Sequence, residues 1–299
     1  MSVLSPLVGG ILILAVLRDV FQQLFRPNGA GSLARLLMRA VWGTFRWVAV
    51  SRPALLALAG PCAYLVVVLG WVMLGTVGWA LVYWPYLPEQ FLLSTGLDPS
   101  QQGSFVDALY VSLMTLTTVG YGDIAPKSGW LRVVATLQAL VGFGLLTAAI
   151  SYLLSIYPAL SRRRTFAREV YLLRNSEPET GNAVEEMGPD AAERMLADLT
   201  SGVVTVRNDL MQFPITYYFH NGEDRSALSG SVPYLLHLAN KAAEKDRSPK
   251  VRFRTAMLHT AIEEFSATLG TSFLGFSSSA PASRVLQAYA RDHFREPRG

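Results

Sequence analysis

Residues Ser104–Pro126 read SFVDALYVSLMTLTTVGYGDIAP, and the fold turns on them. Ser104 is a natural N-cap, and Asp107 places a carboxylate in the first turn, where it offsets the helix dipole. Phe105, Leu109, Leu113 and Leu116 recur at three- and four-residue intervals, the spacing of one helical face. A helix of that length rises too little to cross a hydrocarbon core of about 30 Å, so it must enter and turn back. The turn is Thr118-Val119-Gly120-Tyr121-Gly122-Asp123. Glycines at 120 and 122 allow backbone angles that aim consecutive carbonyls at one axis. Such non-helical backbone at membrane depth survives only where protein buries it or it lines a water-filled path.

The flanks agree with a membrane setting. Pro53–Pro88 holds no acidic or basic residue over 36 positions, and Val133–Ser161 none over 29. About 20 apolar residues suffice to span. Gly60–Pro61 is a possible kink site in the first run. Ser2–Leu17 is a third uncharged stretch, extended to spanning length through Val20, Phe21, Leu24 and Phe25 if Arg18 snorkels. No basic residue precedes it and no small-residue cleavage site follows, which favours a retained helix over a cleaved signal. The expected fold is an all-α membrane protein with three transmembrane helices and a mainly helical cytoplasmic domain.

Charge divides the 299-residue chain in the same way. It is 51% hydrophobic and 16% charged, with a mean hydropathy of +0.29, where a soluble chain is about a quarter charged. Residues 1–157 carry 13 charges and residues 158–299 carry 35. The net charge of +4 is too small for a nucleic-acid binder. A lone cysteine, Cys62, rules out an internal disulfide framework and a cysteine-based zinc site. Arg18, Arg26, Arg35, Arg39, Arg46 and Arg52, and later Arg162, Arg163, Arg164 and Arg168, mark cytoplasmic segments by the positive-inside rule. That puts the N-terminus outside and the C-terminal half inside the plasma (inner) membrane. Residues 33–48 alternate apolar and arginine positions, as an amphipathic helix in the inner interface does; the arginine spacing is not that of a voltage sensor. The acids Glu89, Asp98, Asp107 and Asp123 fall near the outer mouth, where they concentrate cations, with Lys127 and Arg132 opposing.

Through Thr115, Thr117, Thr118, Val119, Gly120, Tyr121, Gly122, Asp123 and Pro126, residues 53–157 resemble the pore module of the tetrameric potassium channel superfamily. TVGYG is that family's own filter sequence, so the mechanism is the family's and not a deduction from spacing. The overall layout is similar to bacterial channels with an extra N-terminal helix and a helical C-terminal domain. The resemblance implies a homotetramer that transports K+, held by the carbonyls of Thr118, Val119, Gly120 and Tyr121 and by the Thr118 hydroxyl, with Gly122 completing the filter. It implies supporting roles for Thr117, Asp123 and Tyr110. Met114 stands where some relatives place a glutamate behind the filter, which leaves Tyr110, at a position often tryptophan, as the donor to Asp123. Gly142 aligns with the family's hinge glycine and Gly144 lies two residues on. A small-residue packing face formed with Thr147, Ala148 and Ala149 is an equal reading. Ile150, Leu153, Leu154 and Tyr157 form a candidate hydrophobic gate.

The chain divides into an N-terminal helix with a basic interfacial helix (1–52), a pore module (53–161), a basic segment and linker (162–189) and a helical domain (190–299). Arg162–Arg164 suit anionic lipid headgroups or plain inside anchoring. Helices are expected over Asp190–Phe219, Val232–Lys245, Pro249–Leu269 and Ala282–Phe294. The cluster Phe213, Pro214, Tyr217, Tyr218 and Phe219 reads as core or subunit interface. His237 and the pair His259 and Glu263 are weak metal candidates beside ordinary surface or core roles. No dinucleotide fingerprint, calcium loop or catalytic constellation is legible, so no enzyme activity or organic cofactor is expected, and the sequence identifies no gating ligand. Two other readings stay open: a pore subunit of a potassium uptake system, and a membrane-anchored signalling protein with a vestigial pore.

Overall fold

The computed structural model describes residues 4–26, 31–49, 53–94, 103–180, 187–220, 227–244 and 248–293. Asp98 and Arg52 lie outside them. The protein is an all-α membrane protein in which three helical segments, Leu4–Leu24, Ala54–Tyr86 and Gly129–Ser176, are long and apolar enough to cross a membrane. Its helices are α1 (Leu4–Phe25), α2 (Ser32–Ala49), α3 (Ala59–Tyr83), α4 (Phe105–Leu116), α5 (Gly129–Thr180), α6 (Pro189–Gln212), α7 (Leu228–Glu244), α8 (Pro249–Leu269) and α9 (Ala282–Asp292). One departure from an all-helical chain is a short antiparallel ribbon, β1 (Phe91–Leu93) with β2 (Ile124–Pro126), pairing Leu92 with Ala125. Contacts group the residues into two units, Met1–Thr44 with Pro61–Ser155 and Phe45–Gly60 with Ile156–Gly299.

In the first unit α1 lies against α3 where both offer glycine. A Cβ at Gly78 would sit 3.0 Å from the Ile13 side chain and 3.1 Å from the Gly9 carbonyl oxygen. Small residues bring membrane helices close enough for backbone packing, which replaces the hydrophobic drive that lipid removes. Near the end of α1, the buried carboxylate of Asp19 accepts from the Leu33 and Ala34 amides at 2.9 and 3.1 Å and from the Trp71 indole at 2.9 Å. An acid at a helix N-terminus meets both unpaired amides and a positive dipole end. Asp19 therefore caps α2 and fastens it to α1 and α3. One turn further on, Gln23 donates to the Tyr152 hydroxyl of α5 at 2.7 Å. The top of this unit is a core of Ala80, Tyr83, Leu87, Phe91, Ala108, Val111 and Leu131, which seats α4 and the ribbon.

The division expected at residue 162 does not interrupt the chain: α5 runs unbroken for 52 residues to Thr180, through Pro158 and the arginine cluster. The linker expected from Ser176 therefore begins as helix. Two of the three clustered arginines have protein partners. Arg162 grips Asp209 through two hydrogen bonds of 2.6 and 2.9 Å. Arg163 is buried and donates to the carbonyls of Thr216 and Phe219. Both guanidiniums face protein acceptors, Arg163 buried and Arg162 with its side chain about half exposed.

The second unit packs α6 to α9 around Leu196, Val203, Leu235, Leu258, Ile262, Phe265 and Leu286. Gly202 of α6 admits the ring of Phe166 from α5, which a Cβ would strike. Tyr217 stacks on Phe273 with ring centres 4.2 Å apart and donates to Asp292, which also pairs with Arg46 of α2 at 2.6 Å. The aromatic cluster is core here, since Phe213, Tyr217 and Tyr218 are buried. Beside it His293 presents Nε2 to the Tyr217 carbonyl at 2.9 Å and Nδ1 to the Tyr289 carbonyl at 3.2 Å. Asp292, Arg163 and the Tyr217 and Tyr289 rings are its titratable neighbours, with His220 a ring-stacking distance away. Burial holds its pKa below the ordinary 6.5, against the opposing pull of the Tyr217 carbonyl. The unfolded chain takes up this proton as pH falls below about 6.5 while the folded one resists, so acid favours unfolding. We expect the melting temperature of this unit to fall between about pH 7.5 and 5.5, and His293→Gln to flatten that slope. Equal slopes in the two proteins would contradict this.

Candidate functional site

The site is built from the end of α4. Ser104 caps the helix by accepting from the Asp107 amide at 3.2 Å, and the Asp107 carboxylate accepts from the Ser104 amide at 2.9 Å, a reciprocal capping box. At the other end the Thr117 hydroxyl donates to the Leu113 carbonyl at 2.7 Å. The amides of Thr118, Val119 and Gly120 turn back to the carbonyls of Thr115 and Met114 at 3.0–3.3 Å. These bonds engage the donors of the loop. Among the described residues, the carbonyls of Thr118, Val119, Gly120 and Tyr121 accept no hydrogen bond. Residues 118–121 are exposed in the single chain, and four consecutive free carbonyls are the kind of oxygen ligand that a hard cation takes.

Their direction comes from the backbone. Thr118, Gly120 and Gly122 have φ of +60°, +52° and +78°, while Val119 and Tyr121 do not enter the left-handed region. Alternating the handedness of successive residues turns successive carbonyls to the same side of the strand. The glycines were legible in sequence. The positive φ of Thr118, a β-branched residue that strongly resists it, was not.

Behind the loop the Tyr110 hydroxyl donates to the Asp123 carboxylate at 2.7 Å, the pairing expected where Met114 replaces an acid. The Asp123 carbonyl accepts from the Ser94 amide at 2.8 Å, so the ribbon holds the loop's far end. On α5, Gly142 lies against the Leu116 carbonyl, closer than any Cβ would allow, whereas Gly144 has open space around it. The hinge candidates thus part company, with Gly142 serving close packing in this conformation. Ile150, Leu154 and Tyr157 stand on the exposed face of α5, and Leu153 is half-buried beside it. His259 meets only Glu263 at 3.3 Å, and no three metal-ligating side chains converge among the described residues.

Comparison with known proteins points the same way. Residues 65–157 match a family model described as an ion channel. Over 59 residues the chain is 41% identical to two-pore potassium channel 5 of Arabidopsis thaliana, covering 18% of this chain and 14% of that one. Over 71 residues it is 42% identical to the calcium-gated potassium channel TvoK of Thermoplasma volcanium, covering 22% and 20%. A longer likeness, 25% identity over 224 residues, links it to an uncharacterized membrane protein of Bacillus subtilis, covering 74% of this chain. The chain spans 64% of that relative's length and a fifth or less of the two channels. No solved structure matches it. The family match falls on the segment that carries TVGYG.

Sequence reasoning gave no role to two buried polar groups of this part of the chain, Asp19 and Gln138, and read a third, Arg163, only as an inside anchor or lipid contact. A single amide or acid in or beside an apolar run gives no periodic signal. The one hint was their cost, since such groups persist in helices of this kind only when partnered.

Proposed function

We propose that the chain is the subunit of a homotetrameric potassium-selective channel whose filter is Thr118–Gly122. The four unpaired carbonyls of one loop carry this reading. One loop supplies a single wall, and a dehydrated cation needs oxygens on every side, which four copies around an axis provide. Val119 and Tyr121 support self-association, being 51% and 74% exposed in the single chain. So do Val133, Leu137, Leu140, Phe143, Leu146, Ile150, Leu154 and Tyr157, an exposed apolar stripe on α5. The stripe's far end, Ile150, Leu154 and Tyr157, with Leu153 beside it, is the proposed gate, closing by dewetting. The N-terminus lies outside and the helical domain inside the plasma membrane, following the arginines. Because α5 continues into the Arg162 and Arg163 anchors, displacement of α6 and residues 213–219 moves the pore-lining helix directly. That is the route by which the helical domain gates the pore.

Liposomes holding the purified chain are expected to pass K+ in preference to Na+ and to be blocked by barium. Absence of such flux overturns the reading. Tyr110→Phe is expected to keep potassium selectivity and to shorten open-state lifetimes, because Asp123 loses its donor. Unchanged lifetimes in single-channel records would remove Tyr110 from the filter's support.

A further inference from the structure

Gln138 sits at the centre of a polar cluster inside the apolar helices and is fully buried, as are Tyr83 and Ser112. Its Nε2 donates to the Ser112 carbonyl at 2.9 Å and lies 3.0 Å from the Ser112 hydroxyl. That hydroxyl donates onward to the Thr76 carbonyl at 2.8 Å. The Tyr83 hydroxyl donates to Gln138 Oε1 at 2.7 Å. A backbone carbonyl can only accept, so Nε2 must face Ser112 and Oε1 must face Tyr83, which fixes the amide's orientation. Three helices, α3, α4 and α5, are tied through one side chain.

The placement is specific. Gln138 and Gly142 lie one turn apart on α5, and they meet Ser112 and Leu116, one turn apart on α4. One rung is polar and directional; the other is steric. Apolar side chains alone let membrane helices slide and rotate against each other, since lipid competes equally for them. Two rungs with matched spacing fix both the depth and the rotation of α4. The carbonyls of Met114 and Thr115, which receive the loop's amides, are carried on that same turn of α4.

We propose that Gln138 is a positioning residue for cation discrimination, setting the height and rotation of α4 and through it the spacing of the Thr118–Tyr121 carbonyls. The role rests on the channel reading above. Its test reads quantities that do not depend on how much protein folds. In planar bilayers, Gln138→Met, similar in length but without hydrogen bonds, is expected to lower the K+/Na+ permeability ratio at least tenfold. Gln138→Glu restores the ratio, because a buried carboxyl stays protonated and then offers a donor to Ser112 and an acceptor to Tyr83. Tyr83→Phe, which leaves the Ser112 rung intact, is expected to change the ratio less than Gln138→Met. Hydrogen exchange of the full-length protein gives a second readout, with amides of residues 118–120 exchanging at least tenfold faster in Gln138→Met. A wild-type permeability ratio or wild-type exchange in Gln138→Met overturns the proposal, as does failure of Gln138→Glu to restore the ratio. Should the wild type conduct no potassium while Gln138→Met still speeds exchange, the channel reading fails and the positioning of the loop stands.

Discussion

Gly142→Ala is expected to abolish a stable pore, while Gly144→Ala, two residues away, is tolerated. A methyl at 142 would strike the Leu116 carbonyl oxygen, a backbone atom that yields only if α4 moves. Overpacking a close-packed interior costs roughly 1–3 kcal/mol, and more where the obstacle is not a flexible side chain. Moving α4 also shifts Ser112 against Gln138 and the Met114 carbonyl against the loop amides. Melting of the detergent-solubilised protein would register the loss, and a melting temperature for Gly142→Ala equal to that of Gly144→Ala would contradict it. The comparison also separates two uses of a glycine. A hinge needs freedom to bend and tolerates alanine in a straight helix, whereas a contact glycine rejects alanine in any conformation that keeps the contact.

Arg163→Ala is expected to be the most damaging change in the second unit, and Arg162→Ala among the mildest. Arg163 is buried and is the donor to the Thr216 and Phe219 carbonyls. Leaving a buried acceptor unmatched costs roughly 1–3 kcal/mol for each group. Arg162 makes a bidentate pair with Asp209, but its side chain is 48% exposed. Exposed ion pairs are worth about 0–1 kcal/mol because water and salt screen them. Denaturant melts of the two variants, compared at low and high salt, would check the ranking. Only Arg162→Ala should lose its small effect at high salt, since a buried donor is not screened.

The two arginines show where sequence stops. Side by side in one charged triplet, they look alike, and lipid headgroups or plain inside anchoring suit both. Their difference depends on which side of α5 faces residues 209–219, some 50 positions away in the chain. Pro158 lies inside α5, four residues before the triplet, without ending the helix. An interior proline removes one hydrogen bond, which α5 absorbs without breaking. By contrast, what sequence disclosed well was local. The Ser104–Asp107 box, the Tyr110–Asp123 pairing and the helix over Pro249–Leu269 all depend on near neighbours in the chain or on short-range chemistry. Gln138 was invisible for the opposite reason. A single amide in an apolar run breaks no pattern, and its partners Tyr83 and Ser112 lie on two other helices.

The cap that Asp19 places on α2 has a consequence for how the protein is made. Synthesis delivers α1 first, yet the acid's partners at residues 33 and 34 emerge later, and Trp71 later still. A carboxylate without partners is costly at membrane depth. Until α2 and α3 arrive that acid has none of these three donors, so the packing of α1 seen here waits on them. Of these three helices, the one made before the others is the one whose seating depends on them.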